Sequence, residues 1–214
     1  MKALLTIAVG SGFHEIAALT HPWIEGYARQ VGADFISLHT DAAAPHFEKC
    51  RIAAFLDTYD RILYMDTDII VNDGCPDIFD QVPEDAFGAW FVNPMIPGRF
   101  ADRIARVQQV LGEIGWTENY FNSGVMVLSR VHRAIFDNPG EYADDFFEQT
   151  LLNYRVQKGR YRTVDIGYRW NHTGVVQSRQ RLQSHFIHYA GSAHMPGVSL
   201  IDQIRADLKA LGRL

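Results

Sequence analysis

The chain has 214 residues, of which 47% are hydrophobic and 21% charged, the balance of a soluble globular protein. Its net charge of −5 argues against general nucleic-acid binding, which depends on a basic surface. Two cysteines cannot form a disulfide framework, so Cys50 and Cys75 are expected to be free thiols in a reducing cytoplasm.

Apolar stretches typical of β-strands alternate along the chain with amphipathic stretches typical of helices. Strands are expected at the stretches ALLTIAV, DFISL, RILYM, AFGAWFV, FNSGVMVL and FIHYAG. Helices are expected over residues 14–30, 48–59, 99–114, 143–157 and 199–214. Pro22 is expected to lie near a break in the first helix, and Ser199 is expected to cap the last one.

This order of elements predicts an α/β fold built on a mainly parallel, twisted sheet flanked by helices. No clear linker or internal repeat divides the chain, so residues 1–214 are expected to form a single domain. The first apolar run, within MKALLTIAVG, is too short to cross a membrane, and no run approaches 18 residues. We therefore expect a cytoplasmic protein with no transmembrane segment, whose contact with membranes, if any, is peripheral.

Two carboxylates stand where the pattern predicts the end of a buried strand, in the segment YDRILYMDTDIIVND. Ligands of parallel α/β sheets bind beyond the carboxyl ends of the strands, so Asp66 and Asp68 are candidates for a binding site. Residues two apart in an extended chain face the same way, and two carboxylates directed at one point repel each other unless a cation lies between them. A divalent metal of the kind that accompanies nucleoside diphosphates would relieve that repulsion.

A second interpretation makes Asp66 the nucleophile of a haloacid-dehalogenase-type phosphatase, whose signature also follows an apolar strand. That signature has Gly and Thr after the second Asp and lies on the first strand of the fold. Here Ile69 and Ile70 follow Asp68, and the segment lies well inside the chain. The sequence therefore favours the metal site.

Charge is unevenly divided along the chain. Residues 1–154 contain 10 Lys or Arg and 22 Asp or Glu, whereas residues 155–214 contain 10 and 3, a local excess of +7. The basic C-terminal part is either a solvated face or a surface that meets an anion such as a phosphate group.

Five motifs, in order, give the chain a resemblance to the GT-A-fold glycosyltransferases. They are YDRILYMDTDIIV, YFNSGVMVLSR, EQTLLN, YRWN and HYAGSAHMP. They resemble most closely the motifs of family 8, the group of glycogenin and the bacterial lipopolysaccharide galactosyltransferases. The family counterparts are its strand and metal motif, Phe-Asn-(Ser/Ala)-Gly-Val, an acidic-Gln-x-x-Leu-Asn helix, a Trp-Asn segment and a closing His-x-x-Gly-x-x-Lys-Pro-Trp. The resemblance implies the Rossmann-like GT-A fold and the use of a nucleotide sugar.

The resemblance also implies which residues hold the metal and the sugar. Asp66, Asp68 and His188 would bind the ion, and two carboxylates with one imidazole suit Mn²⁺ or Mg²⁺. Gln149 would lie beside the anomeric carbon, and Glu148 would orient the sugar hydroxyls. These two residues are the candidates for the catalytic centre.

Further donor contacts are implied by the same motifs. Lys49 would touch the donor, with Arg51 as the rival basic residue. The other residues implied in donor binding are Thr67, Asn122, Ser123, Gly124, Gly191 and His194. Asn122 would contact the sugar, Ser123 and Gly124 would let the backbone approach the donor, and Gly191 would permit a tight turn over the diphosphate. His194 stands where the family has a lysine, and a neighbouring diphosphate would raise the pKa of its imidazole.

The implied reaction moves a sugar from a nucleoside diphosphate sugar, such as a UDP-hexose, to an acceptor hydroxyl with retention of configuration. The acceptor would be a carbohydrate, a lipid-linked molecule or a protein, and no nucleic acid is expected as a partner. The alternative is a degenerate GT-A domain that binds a nucleotide sugar without transferring it. The departures at His194 and in the N-terminal AVGSGFHE stretch keep that alternative and the choice of nucleobase open.

Overall fold

Strands and helices alternate along the chain much as the hydrophobic pattern predicts. The structure, a computed structural model, describes residues 1–41, 45–138, 148–191 and 194–214. The strands are β1 (Lys2–Val9), β2 (Asp34–Thr40), β3 (Arg61–Met65), β4 (Ile69–Val71), β5 (Ala86–Phe91), β6 (Phe121–Ser129), β7 (Arg162–Asp165) and β8 (Phe186–His188). The helices are α1 (Ser11–Gln30), α2 (Ile52–Leu56), α3 (Ala101–Leu111), α4 (Glu148–Lys158) and α5 (Leu200–Ala210).

Six of the described strands form one sheet in the order β2-β1-β3-β6-β5-β7. Strand β6 pairs antiparallel with both neighbours, and the other ladders are parallel, so five of the six strands run in the same direction. The predicted α/β fold with a mainly parallel sheet is confirmed. Every residue of β3 is buried, as expected of a strand whose two faces are both covered.

Alternate side chains of the central strands enter two separate apolar layers. On β3, Leu63 and Met65 pack in the layer that contains α1 and α3. Ile62 and Tyr64 point the other way, into the layer that contains α2 together with Leu152 and Val156 of α4. The sheet is thereby fixed between helices, and the loop after Met65 is held at the edge where the strands end.

Some helices differ from the sequence prediction. Helix α1 continues through Pro22, whose side chain is exposed, while buried residues on both sides such as Thr20 and Ile24 hold the helix against the sheet. The helix expected over 48–59 is a 3₁₀ helix (Pro45–Arg51) that leads into the short α2. Ser199 caps α5 by accepting a hydrogen bond from the Asp202 amide, as expected. The predicted start of α4, residues 143–147, lies outside the described residues.

A second, two-stranded sheet of β4 and β8 positions the candidate site. These strands pair antiparallel, with Ile69 opposite His188. The backbone N–H of Tyr189 donates to the carbonyl of Asp68 at 3.0 Å, which extends the pairing past the strands. His188 is therefore held beside the Asp66–Asp68 segment, although 120 residues separate His188 from Asp68 along the chain. None of the helices in the described parts of the chain is long and apolar enough to cross a membrane.

Candidate active site

Asp66, Asp68 and His188 converge at the carboxyl end of β3. Their candidate ligand atoms lie within 4.8 Å of one another, and this is the only such trio of His, Cys, Asp or Glu among the described residues. Nε2 of His188 lies 3.6 Å from Oδ2 of Asp66 and 3.4 Å from Oδ1 of Asp68. Asp68 and His188 are buried, so the charges on this cluster must be balanced within the site.

A chain of amides fixes the orientation of His188. Its Nδ1 lies 2.7 Å from Oδ1 of Asn171, and the Asn171 amide nitrogen donates to Oδ1 of Asn122 at 2.9 Å. An amide oxygen only accepts, so Nδ1 carries the proton and Nε2 faces the carboxylates. An imidazole anchored through one nitrogen with the other aimed at carboxylates is the arrangement that metal-binding histidines adopt.

The protonation of the cluster follows from its burial and its charges. Burial would lower the pKa of His188, but the Asp68 and Asp66 carboxylates outweigh it and raise that pKa above its usual value. Burial would raise the pKa of Asp68, but His188 and its hydrogen bond hold it below the usual range. Without a metal, Asp68 and His188 therefore favour the ion pair, and a metal would take the place of the His188 proton.

Gly124 leaves the space that this cluster occupies. A Cβ at this position would lie 2.8 Å from Nδ1 of His188 and 2.9 Å from Oδ2 of Asp66, closer than such contacts allow. The Gly124 carbonyl also accepts the Asp66 N–H at 2.8 Å. Gly124 was expected to let the backbone approach the donor, and the structure shows that its missing side chain also makes room for Asp66 and His188.

Lys49 neutralises the side of the cluster away from His188. Its ammonium lies 3.0 Å from Oδ1 of Asp66 and 3.0 Å from Oε1 of Glu148, and it donates to Oγ of Ser123 at 3.1 Å. Burial would lower the pKa of Lys49, but the carboxylates of Asp66 and Glu148 outweigh it and hold the pKa above its usual value. Arg51, the rival basic residue, pairs with Glu48 on the exposed surface instead.

Ser123 connects the start of β6 to the start of α4. Its hydroxyl donates to Oε1 of Glu148 at 2.8 Å, and its backbone N–H donates to Oε1 of Gln149 at 3.1 Å. Asn153, one turn further along α4, bonds to both backbone groups of Phe121 at 2.8 and 2.9 Å. The helix therefore presents Glu148 and Gln149 to the site through side-chain contacts with the strand.

Tyr64 is a site residue that the sequence reasoning missed. Its hydroxyl donates to Oδ1 of Asp66 at 2.8 Å. Burial and the neighbouring Asp66 raise its pKa well above the usual value, so the hydroxyl stays a donor. The signal was present in the sequence, because Tyr64 stands two residues before Asp66 and so faces the same side of an extended chain. Asn171, within the YRWN motif, was also missed as the anchor of His188.

Thr67, one of the expected donor contacts, lines the first cavity and also bonds to neighbouring parts of the chain. The Thr67 hydroxyl donates to the carbonyl of Ile7 at 2.9 Å, and the Thr67 carbonyl accepts from Thr20 at 2.7 Å. Its side chain is buried in these bonds, so it fastens the Asp66–Asp68 segment to β1 and α1.

The structure also corrects the expectation for His194. Its Nε2 lies 3.1 Å from the His188 carbonyl, its backbone N–H donates to Gln203 at 3.0 Å, and the residue is only 7% exposed. Burial, followed by His172 and Arg181, lowers the pKa of His194 to about 4. The imidazole therefore contacts the backbone of His188 and stabilises the chain there.

Two neighbouring cavities open beside the cluster. The first, of about 380 Å³, is lined by Ile7, Val9, Phe13, Glu48, Lys49, Tyr64, Asp66, Thr67, Asp68, Glu148, His188, Ala190 and Gly191. The second, of about 530 Å³, is lined by Trp90, Val92, Ile96, Arg99, Phe100, Asn122, Gln149, Thr173, Gly174, Val175, Ala190 and Gly191. Ala190 and Gly191 border both cavities. Gly191 has a φ of 66°, which favours glycine at this turn, as expected.

The comparison with protein families supports the motif resemblance. Residues 42–132 match the family model described as Glycosyl transferase family 8. These residues include the Asp66–Asp68 segment and the FNSGV stretch, so the resemblance found in the sequence is confirmed there. No curated protein matches the chain.

Solved structures match the fold over nearly the whole chain. A glycosyltransferase involved in the glycosylation of the major capsid of PBCV-1 has a TM-score of 0.63 and 14% identity, over 97% of this chain and 98% of that one. The galactosyltransferase LgtC, solved with donor and acceptor sugar analogs, has a TM-score of 0.61 and 12% identity, over 100% of this chain and 96% of that one. The glycosyltransferase GlyE of Streptococcus pneumoniae has a TM-score of 0.53 and 13% identity, over 99% of this chain and 64% of that one. The predicted GT-A fold is confirmed.

Proposed function

We propose that this chain, a GT-A-fold glycosyltransferase that matches family 8 over residues 42–132, transfers a hexose from a nucleoside diphosphate donor in a metal-dependent reaction. The observation that carries the proposal is the cluster of Asp66, Asp68 and His188 at the mouth of the first cavity. The roles proposed below for the donor, the acceptor and the other site residues take this cluster as their starting point. The phosphatase alternative gains no support, because the family match is to glycosyltransferases.

The donor set of the cluster fits a divalent metal. Two carboxylate oxygens and one imidazole nitrogen suit Mn²⁺ or Mg²⁺, and the imidazole favours Mn²⁺. When bound, such an ion would offset the negative charge that develops on the leaving diphosphate. Tyr64 donates to Oδ1 of Asp66, and Lys49 lies 3.0 Å from Oδ1 and 3.4 Å from Oδ2. Oδ2 is also the oxygen nearest to Nε2 of His188, at 3.6 Å, and is the one we assign to the ion.

The first cavity has the character that a nucleotide sugar requires. Part of its lining is apolar, formed by Ile7, Val9 and the exposed Phe13, and can receive a flat base. The same cavity is lined by Lys49 and the metal-ligand candidates, which suit a diphosphate. We assign the donor to this cavity and favour a UDP-hexose, with Gly191 turning the chain past the phosphates.

Gln149 and Asn122 are placed to meet the sugar. Both line the second cavity, close to the residues that the two cavities share. The oxygen of Gln149 accepts from Ser123, so its amide N–H₂ is left to donate toward the sugar. The oxygen of Asn122 already accepts from Gly124 and Asn171, so its amide N–H₂ is likewise left to donate toward the sugar.

We further propose that the reaction retains the anomeric configuration without a covalent intermediate. Glu148 is the nearest carboxylate to Gln149 along the chain, but its Oε1 already accepts from Ser123 and pairs with Lys49. A carboxylate held in this way is a poor nucleophile. Attack from the same face as the leaving group, assisted by the diphosphate, fits a site in which Gln149 occupies the position beside the anomeric carbon.

The test is nucleotide release from a panel of nucleoside diphosphate sugars, measured with Mn²⁺, with Mg²⁺ and with EDTA. We expect release from a UDP-hexose with Mn²⁺ and loss of release with EDTA. When an acceptor alcohol is supplied, the NMR spectrum of the glycoside product should show the anomer of the donor. Release that is the same with EDTA would reject the metal, and an inverted product would reject retention. Binding of donor without any cleavage would favour a degenerate domain that only binds nucleotide sugars.

A further inference from the structure

The second cavity contains a positively charged side chain to which the proposed donor assigns no role. Of the described residues that line it, Arg99 alone carries a charge, and the others are apolar, polar or glycine. Arg99 is exposed, and its guanidinium has no hydrogen bond or ion pair to any described residue. In the first cavity, by contrast, Lys49 already pairs with both Asp66 and Glu148.

The surroundings of Arg99 suit an anionic group attached to a sugar. Trp90, Ile96 and Phe100 line the same cavity and give it apolar surface against which a sugar ring can pack. Phe100 is held in place by stacking on Tyr120, with ring centroids 4.0 Å apart. A guanidinium in such a cavity is the side chain best suited to bind a carboxylate or phosphate through two hydrogen bonds.

The position of the cavity assigns it to the acceptor. It shares Ala190 and Gly191 with the donor cavity, and it includes Gln149 and Asn122 but none of the three metal-ligand candidates. A molecule that fills it would therefore meet the sugar beside Gln149 and Asn122 without contacting the metal-ligand candidates. The volume of about 530 Å³ lies within the range of small-molecule sites, roughly 300–1,000 Å³.

We propose that the acceptor is a glycan that carries an anionic group, a carboxylate or a phosphate, near the accepting hydroxyl, and that Arg99 selects for it. This inference rests on the proposed transfer reaction and concerns only the choice of acceptor. The anion would pair with Arg99 while the apolar surface holds the ring and the accepting hydroxyl faces Gln149. Such a contact gives specificity because only an anionic acceptor gains the ion pair, whereas a neutral acceptor leaves the exposed guanidinium to water.

The experiment compares matched acceptors at saturating donor and Mn²⁺. The probes are the p-nitrophenyl glycosides of glucose and galactose, those of glucuronic and galacturonic acid, and glucose with glucose 6-phosphate. We expect kcat/KM to be about 10-fold or more higher for the anionic member of a pair, as a charge-assisted hydrogen bond predicts. The uronic acids and the 6-phosphate distinguish a carboxylate from a phosphate as the favoured group.

Arg99→Gln should remove this preference by raising the acceptor KM, with a much smaller effect on the donor KM. Arg106→Gln is the matched control, because Arg106 is an exposed arginine on α3 that does not line the cavity. Equal rates for neutral and anionic acceptors would overturn the proposal, and so would nucleotide release from the donor without transfer to any probe. A rise in the donor KM that matches the rise for the acceptor would assign Arg99 to the donor instead. If no donor releases nucleotide at all, the proposed function has failed, and that outcome is distinct from these.

Discussion

Oδ1 of Asn171 lies 2.7 Å from Nδ1 of His188, and this contact decides which imidazole nitrogen faces Asp66 and Asp68. Both Asn171 and His188 are buried, so bulk water does not compete for this contact. We predict that Asn171→Ala weakens the activation constant for Mn²⁺ by about 10–100-fold, because the imidazole is then free to turn. The constant is measured from nucleotide release against Mn²⁺ concentration.

A control for that variant lies nearby in the same part of the fold. Asn72 also holds neighbouring chain segments together, since its amide donates to the carbonyls of Leu182 and Ser184 at 3.1 and 2.6 Å. Asn72→Ala should lower the melting temperature but leave the Mn²⁺ constant unchanged. Equal shifts of the constant in the two variants would mean that Asn171 acts only through stability.

Gly124 gives a steric prediction. We expect Gly124→Ala to abolish Mn²⁺ binding, because the new methyl group would overlap the space of His188 and press on Oδ2 of Asp66. Gly26→Ala is the control: Gly26 lies in α1, where an added Cβ meets nothing within 4 Å, and alanine there should stabilise the helix by about 1 kcal/mol. Calorimetric titration of Mn²⁺ into both variants checks this, and normal binding by Gly124→Ala would remove the steric argument.

Gln149 gives a kinetic prediction. If its amide N–H₂ meets the sugar as the bond breaks, Gln149→Ala should lower kcat by at least about 10-fold while changing the donor dissociation constant little, because that contact matters mainly in the transition state. Steady-state rates give kcat, and titration with the intact UDP-hexose in the absence of acceptor gives the donor dissociation constant. A variant with normal kcat would exclude Gln149 from the catalytic centre.

His194 gives a prediction about stability and pH. Its pKa of about 4 in the folded protein lies below the usual value near 6.5, so the unfolded chain takes up the proton first as the pH falls. The stabilisation is therefore complete above pH 6.5 and is lost as the pH falls toward 4. Between pH 7.5 and pH 5, the free energy of unfolding of the wild type should fall by about 2 kcal/mol more than that of His194→Gln, because glutamine does not titrate.

Urea unfolding of both proteins at pH 7.5 and pH 5 measures this difference. Because His194 is buried, donor affinity between pH 6 and 8.5 should change with pH to the same extent in wild type and in His194→Gln. Affinity that weakens only in the wild type as the pH rises would place the imidazole at the diphosphate, as the sequence first suggested.

The sequence predicted the parts of the site that local rules determine. Asp66 and Asp68 could be recognised because they follow an apolar strand and have the spacing that directs two side chains to one side. The same spacing points to Tyr64, which was overlooked. In the fold, the run of apolar residues that forms β3 and the amphipathic helix α3 were equally clear, because both elements follow a simple periodicity.

Other features depend on contacts between distant parts of the chain. The pairing of β4 with β8 joins segments over 110 residues apart and involves two three-residue strands, for which no periodicity is long enough to detect. His188 was therefore identified through the family resemblance, and its anchor Asn171 could not be inferred. His194 stands where the family has a lysine. Its orientation depends on contacts with the His188 carbonyl and with Gln203, and these contacts cannot be predicted from a sequence motif.

The central claim is that Asp66, Asp68 and His188 bind a divalent metal together with the donor diphosphate. The most direct test is a titration of Mn²⁺ in the presence of UDP, followed by the EPR signal of the free ion, for wild type and Asp68→Asn. Asparagine keeps the shape of the side chain and removes one anionic ligand, so the melting temperature should show that the variant is folded. The account predicts one bound Mn²⁺ per wild-type chain and at least about 10-fold weaker binding by Asp68→Asn. Binding of Mn²⁺ by the folded variant with unchanged affinity would contradict it.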